Sequence, residues 1–391
     1  MTWRTLVFPL RGLVIWLLAC TPVQAGGRST VELTDPDGAH QGMSLAHDAQ
    51  TCWLLNRQGV LQKIDLRKVT AYCTVEDRFK PETVIEARDR YTRQVGTDME
   101  VTARGKYVVI GPTRRSAECA QMLEQVYNEF WSHFSKRQLD LQVPEFPLVV
   151  LIFPTQKQFA EYARKEGVVY GMNLKGYYSR NTNRIALFAE EVGRTEVGRE
   201  GNETTDLAGT SELSADATGR VLATVAGDFR DTLIHEAIHQ LAYNTGLHSR
   251  IGDHPRWLSE GLAMLFEEDS RRDDSISRNP VDRVNRSRYL WFMNYRQERR
   301  PKQALEEFIL GDQLFRQSTL DAYSESWALS FYLIETRRAE YRRYLQLVGQ
   351  RDPLHAYTAD ERRADFQAAF GADLNYLEGQ YLRYFDQIGL R

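Results

Sequence analysis

The stretch DFRDTLIHEAIHQLAYNTG, residues 228–246, decides how the rest of the chain is read. His235 and His239 stand four apart, one helical turn from each other on the same face. Both imidazoles can then reach one ion. Glu236 is rotated by about 100° from His235. It stays out of the ligand set but within reach of a water activated by such an ion, where a carboxylate serves as proton acceptor and donor. Leu233, Ile234, Ala237, Ile238, Leu241 and Ala242 surround these three residues, so the helix is expected to be buried on most sides. The bland alternative is a partly exposed helix with solvated histidines. The apolar neighbours favour the metal reading, because buried polar groups need partners. Gly246 closes the helix.

A catalytic zinc site takes three protein ligands and leaves the fourth position open. PRWLSEGLAMLFEE, residues 255–268, carries Glu260 among Trp257, Leu258, Leu262, Ala263 and Leu265. An acid amid core-like neighbours on a second helix is the residue that would complete a set of two histidines and one glutamate. The competing reading is an exposed acid in the first turn of a helix. His248 and His254 lie in the loop between the two helices, as weaker candidates for a supporting role.

Outward from this centre, the chain reads as strands with two helices, then helices only. KYVVIG (106–111) and FPLVVLIF (146–153) are strands. SAECAQMLEQVYNEFWSHF (116–134) is an amphipathic helix with Ser116 as N-cap, and TQKQFAEYARKEG (155–167) is a helix closed by Gly167. GYYSRNTNRIALF (176–188) is a hairpin turning around Asn181–Asn183. Its first strand, if it lies at a sheet edge, could pair with an extended peptide. Residues 189–215 form an acidic, glycine-containing loop, and 257–388 are helical in pattern. Near the start, CWLLNRQGVLQKIDLRKVTAYCTVEDRF (52–79) has a hairpin signal at Asn56–Gly59, after an extended lead-in over 26–50. The class is α+β. The expected divisions are a small β-rich module over 26–95, a subdomain with the metal site over 96–270, and a helical part over 271–391.

With 391 residues, 42% hydrophobic and 26% charged, and a net charge of −3, the composition is that of an ordinary globular chain. Nothing in it points to nucleic acid. Residues 1–25 carry Arg4 and Arg11, an apolar run from Leu13 to Cys20 and a small-x-small ending at Ala25, which reads as a secretory signal. The run is too short for a membrane span. LLAC before Thr21 also resembles a lipoprotein box with Cys20 as lipid acceptor. Simple export is the favoured reading. In an oxidising compartment Cys52 and Cys73 could bridge neighbouring strands, with Cys119 left as a buried apolar residue.

HEAIH followed by WLSEGLA resembles the gluzincin metallopeptidases, the clan of thermolysin and aminopeptidase N. The resemblance implies a zincin-like core, one zinc ion held by His235, His239 and Glu260, and Glu236 as general acid/base. More widely, residues 50–270 resemble exported bacterial proteins of unknown function described as peptidase-MA-like. The stretches that carry this are CWLLNRQGVLQKIDLRKVTAY, VYNEFWSHF, PEFPLVVLIFPTQKQFAEYARKEG, GYYSRNTNRIALF and the zinc region. Aminopeptidase N-like enzymes stabilise the oxyanion with a tyrosine on a later helix. Here DAYSESWALSFYLIE (321–335) offers Tyr323, with small Ser326 three residues on. No amine-binding segment of the aminopeptidase N kind precedes the zinc helix. The expected function is a secreted zinc metallopeptidase acting on a peptide or protein. The alternatives are a catalytically silent scaffold on the same fold and a zinc amidase acting on cell-wall crosslinks.

Overall fold

The structure is a computed structural model, and it describes residues 28–168, 174–189, 229–267 and 279–388. The signal segment with Cys20 and the acidic loop after Ala189 lie outside the described residues. Among the described residues no helix is long and apolar enough to cross a membrane. The class is α+β, as expected. The chain passes from one compact unit to a second between Glu82 and Thr83.

The first unit is one antiparallel sheet. Its strands are β1 (Thr30–Asp35), β2 (Gly38–His47), β3 (Thr51–Leu55), β4 (Leu61–Asp65) and β5 (Ala71–Glu76), in the order β4-β3-β2-β1-β5. The Asn56–Gly59 turn joins β3 to β4. The Asn56 carboxamide accepts from the amides of Gln58 and Val60, and Gly59 takes a positive φ of 77°. The lead-in over 26–50 proves to contain β1 and β2. The Asp35 carboxylate accepts the Asp37 and Gly38 amides at their turn. β2 has few β-branched residues and a largely exposed face, so its strand character comes from the ladders on both sides.

The proposed bridge between Cys52 and Cys73 is not formed. Both are free thiols. Cys52 lies on β3 and Cys73 on β5, with β2 and β1 between them. At about 4.8 Å per strand that is roughly 14 Å, beyond the Cα separation of about 7 Å that a disulfide tolerates.

The second unit opens with α1 (Val84–Gln94), started by a capping box of Thr83 and Glu86. The sequence placed this segment with the N-terminal module. In the structure Ala87 and Tyr91 bury against Val108, Ile110 and Val149, so it belongs to the second unit. A five-stranded mixed sheet follows: β6 (Met99–Arg104), β7 (Tyr107–Pro112), β8 (Leu148–Phe153), β9 (Gly176–Ser179) and β10 (Arg184–Phe188), in the order β6-β7-β8-β10-β9. β8 runs parallel to β7 and β10, and β9 is the antiparallel edge. The turn between β9 and β10 falls where Asn181–Asn183 predicted it. Asn183 takes φ 59°, a left-handed conformation that asparagine tolerates.

The helices α2 (Arg115–Lys136) and α3 (Gln156–Lys165) are interleaved with the strands. α2 starts at Arg115 without a side-chain cap, and the Ser116 hydroxyl pairs with Thr102 Oγ1 at 3.1 Å instead of capping. Then come α4 (Phe229–Asn244), α5 (Arg256–Leu265), α6 (Arg286–Glu298), α7 (Ala304–Leu310), α8 (Gln313–Gln317), α9 (Thr319–Thr336), α10 (Arg338–Gly349), α11 (Ala359–Phe370) and α12 (Leu374–Ile388). One continuous core runs from Val109 and Val150 on the sheet, through α4 and α5, to Trp327 on α9 and Phe385 on α12. The helical part anticipated after residue 270 therefore shares its core with the sheet.

Candidate metal centre

α4 is buried from Thr232 to Tyr243, all the way round its circumference. Packing therefore fixes its rotation, and its polar side chains must find partners inside the protein. It ends as expected at Gly246, which takes φ 85°. α5 crosses beside it. Gly261 sets how closely α5 approaches α9, because a Cβ there would lie 2.5 Å from the Ser326 carbonyl oxygen and press into the Ser330 hydroxyl. Small residues on both helices let the neighbouring Glu260 and Tyr323 converge.

The structure brings His235, His239 and Glu260 together as one buried group able to hold a metal ion. The His235 and His239 Nε2 atoms are 3.2 Å apart, and each is 3.5 Å from Glu260 Oε2. A tetrahedral ion with ligands at about 2.0–2.1 Å separates them from each other by roughly 3.3 Å. The triangle thus has the dimensions of one face of such a site. Among the described residues Glu260 Oε2 has no hydrogen-bond partner although it is buried. A carboxylate left so is costly in a protein interior, and a metal ion would satisfy it. By donor chemistry and spacing the residues fit a divalent ion that prefers nitrogen and oxygen.

Glu267 is a member of this centre that the sequence reading missed. Its Oε1 lies 2.9 Å from His235 Nδ1. It is held in turn by Asn285 Nδ2 at 3.0 Å and Arg288 Nη2 at 3.3 Å, both from the start of α6 and its cap. An ionised carboxylate only accepts, so Nδ1 carries the proton and Nε2 is turned to the metal position. Glu267 follows Glu260 by seven residues and lies just past the end of α5, an acid beside the apolar run that ends at Phe266.

Glu236 sits beside the triangle, fully buried. Its Oε2 accepts the Tyr178 amide of β9 at 2.7 Å, and among the described residues its Oε1 has no partner. Gly176 permits this approach, since a Cβ there would lie 2.9 Å from the Thr232 methyl on α4. The edge strand is therefore closed against α4. The amide that an extended peptide would need at Tyr178 is already taken, which corrects the picture of an open edge. The hairpin is pinned from its other end as well. Tyr178 Oη donates to Asn183 Oδ1 at 2.8 Å, Asn183 Nδ2 donates to Asn244 Oδ1 at 2.9 Å, and Gln240 Nε2 donates to the Asn183 carbonyl at 3.0 Å.

Burial alone would push the His235 pKa down, but the neighbouring carboxylates of Glu260 and Glu267 raise it to about 10 while no metal is bound. Burial would raise Glu260, yet His239 and His235 hold it well below the usual carboxylate range. Glu236 is raised, because burial outweighs the attraction of the two histidines. Tyr323, on α9, is buried, and among the described residues its hydroxyl has no partner. Burial first, and then Glu260 and Glu236, push its pKa far up, so it stays a protonated donor. His248 and His254 lie apart from the triangle. Their rings stack on each other at 4.9 Å and meet the Tyr243 ring edge-on, and the Tyr243 hydroxyl pairs with His254 Nε2 at 2.5 Å.

Residues 230–355 match the family described as a protein of unknown function, DUF1570. The match spans every residue of the centre on α4, α5, α6 and α9. No curated protein matches the chain.

Proposed function

We propose that this chain is an exported zinc-dependent metallopeptidase of the gluzincin kind. The observation that carries the reading is the triangle of His235, His239 and Glu260 with an unpartnered Glu236 oxygen beside it. His235, His239 and Glu260 would hold zinc, which when bound supplies a Lewis acid that makes water a nucleophile near neutral pH. The chain's own residues divide the remaining work. Glu267 orients His235 through Nδ1. The Tyr178 amide fixes one oxygen of Glu236 and leaves the other to take a proton from water and pass it to the departing amine. The raised pKa of Glu236 suits a group that must both accept and release that proton. Tyr323 keeps its proton and donates to the oxyanion that forms at the attacked carbonyl.

The test is a peptide-library digest with the parent and Glu236→Gln in parallel, alongside elemental analysis. The variant should retain one zinc per chain and lose about 10²- to 10⁴-fold in turnover. A variant that cleaves as well as the parent would refute the assignment of Glu236, and a metal-free parent would refute the zinc site.

A further inference from the structure

Two arginines face the centre, and each has a donor that the chemistry above does not use. Arg256, on α5, has side-chain exposure of 17%. Among the described residues its Nε has no hydrogen-bond partner, and it stands 3.8 Å from Glu260 Oε1, too far for a hydrogen bond. Its guanidinium lies over the Phe315 ring at 4.4 Å. Arg288, on α6, has side-chain exposure of 14%. It gives Nη2 to Glu267, while its Nε is also without a partner. Its guanidinium is 5.8 Å from the Tyr323 ring, and Phe315 meets the same ring edge-on at 6.0 Å. Phe315 and Tyr323 thus link the two cations in a row of ring contacts, and among the described residues the Tyr323 hydroxyl is unpartnered.

A guanidinium largely withdrawn from water and left with open donors is costly. Its planar fork matches a carboxylate better than any other common group. Glu260 and Glu267 neutralise part of this charge, but both are turned to the histidines. Among the described residues nothing meets the Nε donors of Arg256 and Arg288.

We propose that Arg256 and Arg288, flanking Tyr323, form a receptor for a substrate carboxylate close to the bond that is cut. This rests on the peptidase reading for its meaning but not for its test. The carboxylate has two sources: the C-terminus of the substrate, which makes the enzyme remove residues from that end, or an Asp or Glu side chain, which makes it select acidic positions inside a chain.

The test measures binding on the full-length chain carrying Glu236→Gln, so that probes persist. One pair of probes is acetyl-trialanine as free acid and as amide. The other is acetyl-Ala-Asp-Ala-amide and its Asn counterpart. Calorimetric titration should show one acid bound roughly tenfold or more tighter than its neutral partner, as expected for a charge-assisted pair. The pair that discriminates identifies the source. Adding Arg256→Gln should reduce that preference by about tenfold, and Arg256→Lys should restore part of it. Arg288→Gln should act in the same direction. Because that change also releases Glu267, the variants are compared at equal zinc content. No preference for either acid, or a preference that survives in both arginine variants, overturns the receptor. A parent that cleaves free-acid and amide peptides equally would leave the peptidase standing without it. Acid preference in a protein that cleaves nothing would leave the receptor standing without the peptidase.

Discussion

Replacing Gly261 by alanine tests the contact on which the centre depends. The added methyl would lie 2.5 Å from the Ser326 carbonyl oxygen and press into the Ser330 hydroxyl. Relaxed carbon contacts begin near 3.5 Å, so α5 and α9 must part by about 1 Å. The hydroxyl can rotate away, but the carbonyl is fixed in the ladder of α9. Overpacking of this kind costs about 1–3 kcal/mol, and the upper end applies because one of the two atoms is backbone. The better helix propensity of alanine returns about 1 kcal/mol. The net loss is then about 2 kcal/mol, read as a lower denaturant midpoint with an unchanged slope. Metal affinity should fall with it. Glu260 is the adjacent residue, and metal ligands tolerate displacements of only about 0.2 Å. Zinc competition against a chromogenic chelator should show at least a tenfold weaker site. Ser330→Ala supplies the control, since that hydroxyl has no partner to lose. Alone it should be nearly neutral. Combined with Gly261→Ala it should recover part of the loss but not the part due to Ser326. A Gly261→Ala protein with the parent's midpoint and zinc affinity would refute the close α5–α9 approach and the placement of Glu260 that follows from it.

Three further outcomes follow from the same geometry. Glu267→Gln should weaken zinc binding by about 10- to 100-fold through the freed orientation of His235; an unchanged dissociation constant would remove Glu267 from the centre. Zinc affinity should rise with pH. His235 holds a proton up to about pH 10 without metal, against 6.5 for an unperturbed ring, and metal must displace it. The sign for the metal-free protein is opposite: this group's stabilisation is complete below about pH 6.5 and disappears as pH rises through 10. Zinc dissociation constants should therefore fall about tenfold per unit between pH 7 and 9, with release of about one proton per ion. A flat profile contradicts the pairing with Glu260 and Glu267. Asn183→Ala should cost about 2–4 kcal/mol, because it strands Tyr178 Oη and Asn244 inside the protein. The same change should lower turnover more than substrate affinity, since the hairpin carries the amide that holds Glu236. Equal loss in both would point to general destabilisation.

The local pattern of the chain made several features legible. The spacing of His235, Glu236 and His239, and the apolar residues around Glu260, announced a metal centre. The turns at Asn56–Gly59 and Asn181–Asn183, and the helix end at Gly246, were readable because each depends on a few adjacent residues with strong backbone preferences. What failed was non-local. Cys52 and Cys73 resembled a bridge, yet strand order separates them by two strands. β1 and β2 hid in a polar stretch because their strand state comes from partners on either side. Helix α1 joined the second unit through two buried side chains that no composition shift marks. The outward amide of β9 looked available until α4 was placed against it.

The sequence by itself determined which residues could hold an ion, because ligand pairs one turn apart are a property of a single helix. Only the tertiary structure decided that Glu260 lies equidistant from both histidines, that Glu267 orients one of them and Tyr178 holds Glu236, and that Phe315 and Tyr323 link Arg256 to Arg288. Those relations join residues up to 67 positions apart, from Arg256 to Tyr323. They arise from how closely α4, α5, α6, α9 and β9 can pack, which Gly176 and Gly261 set by having no side chain.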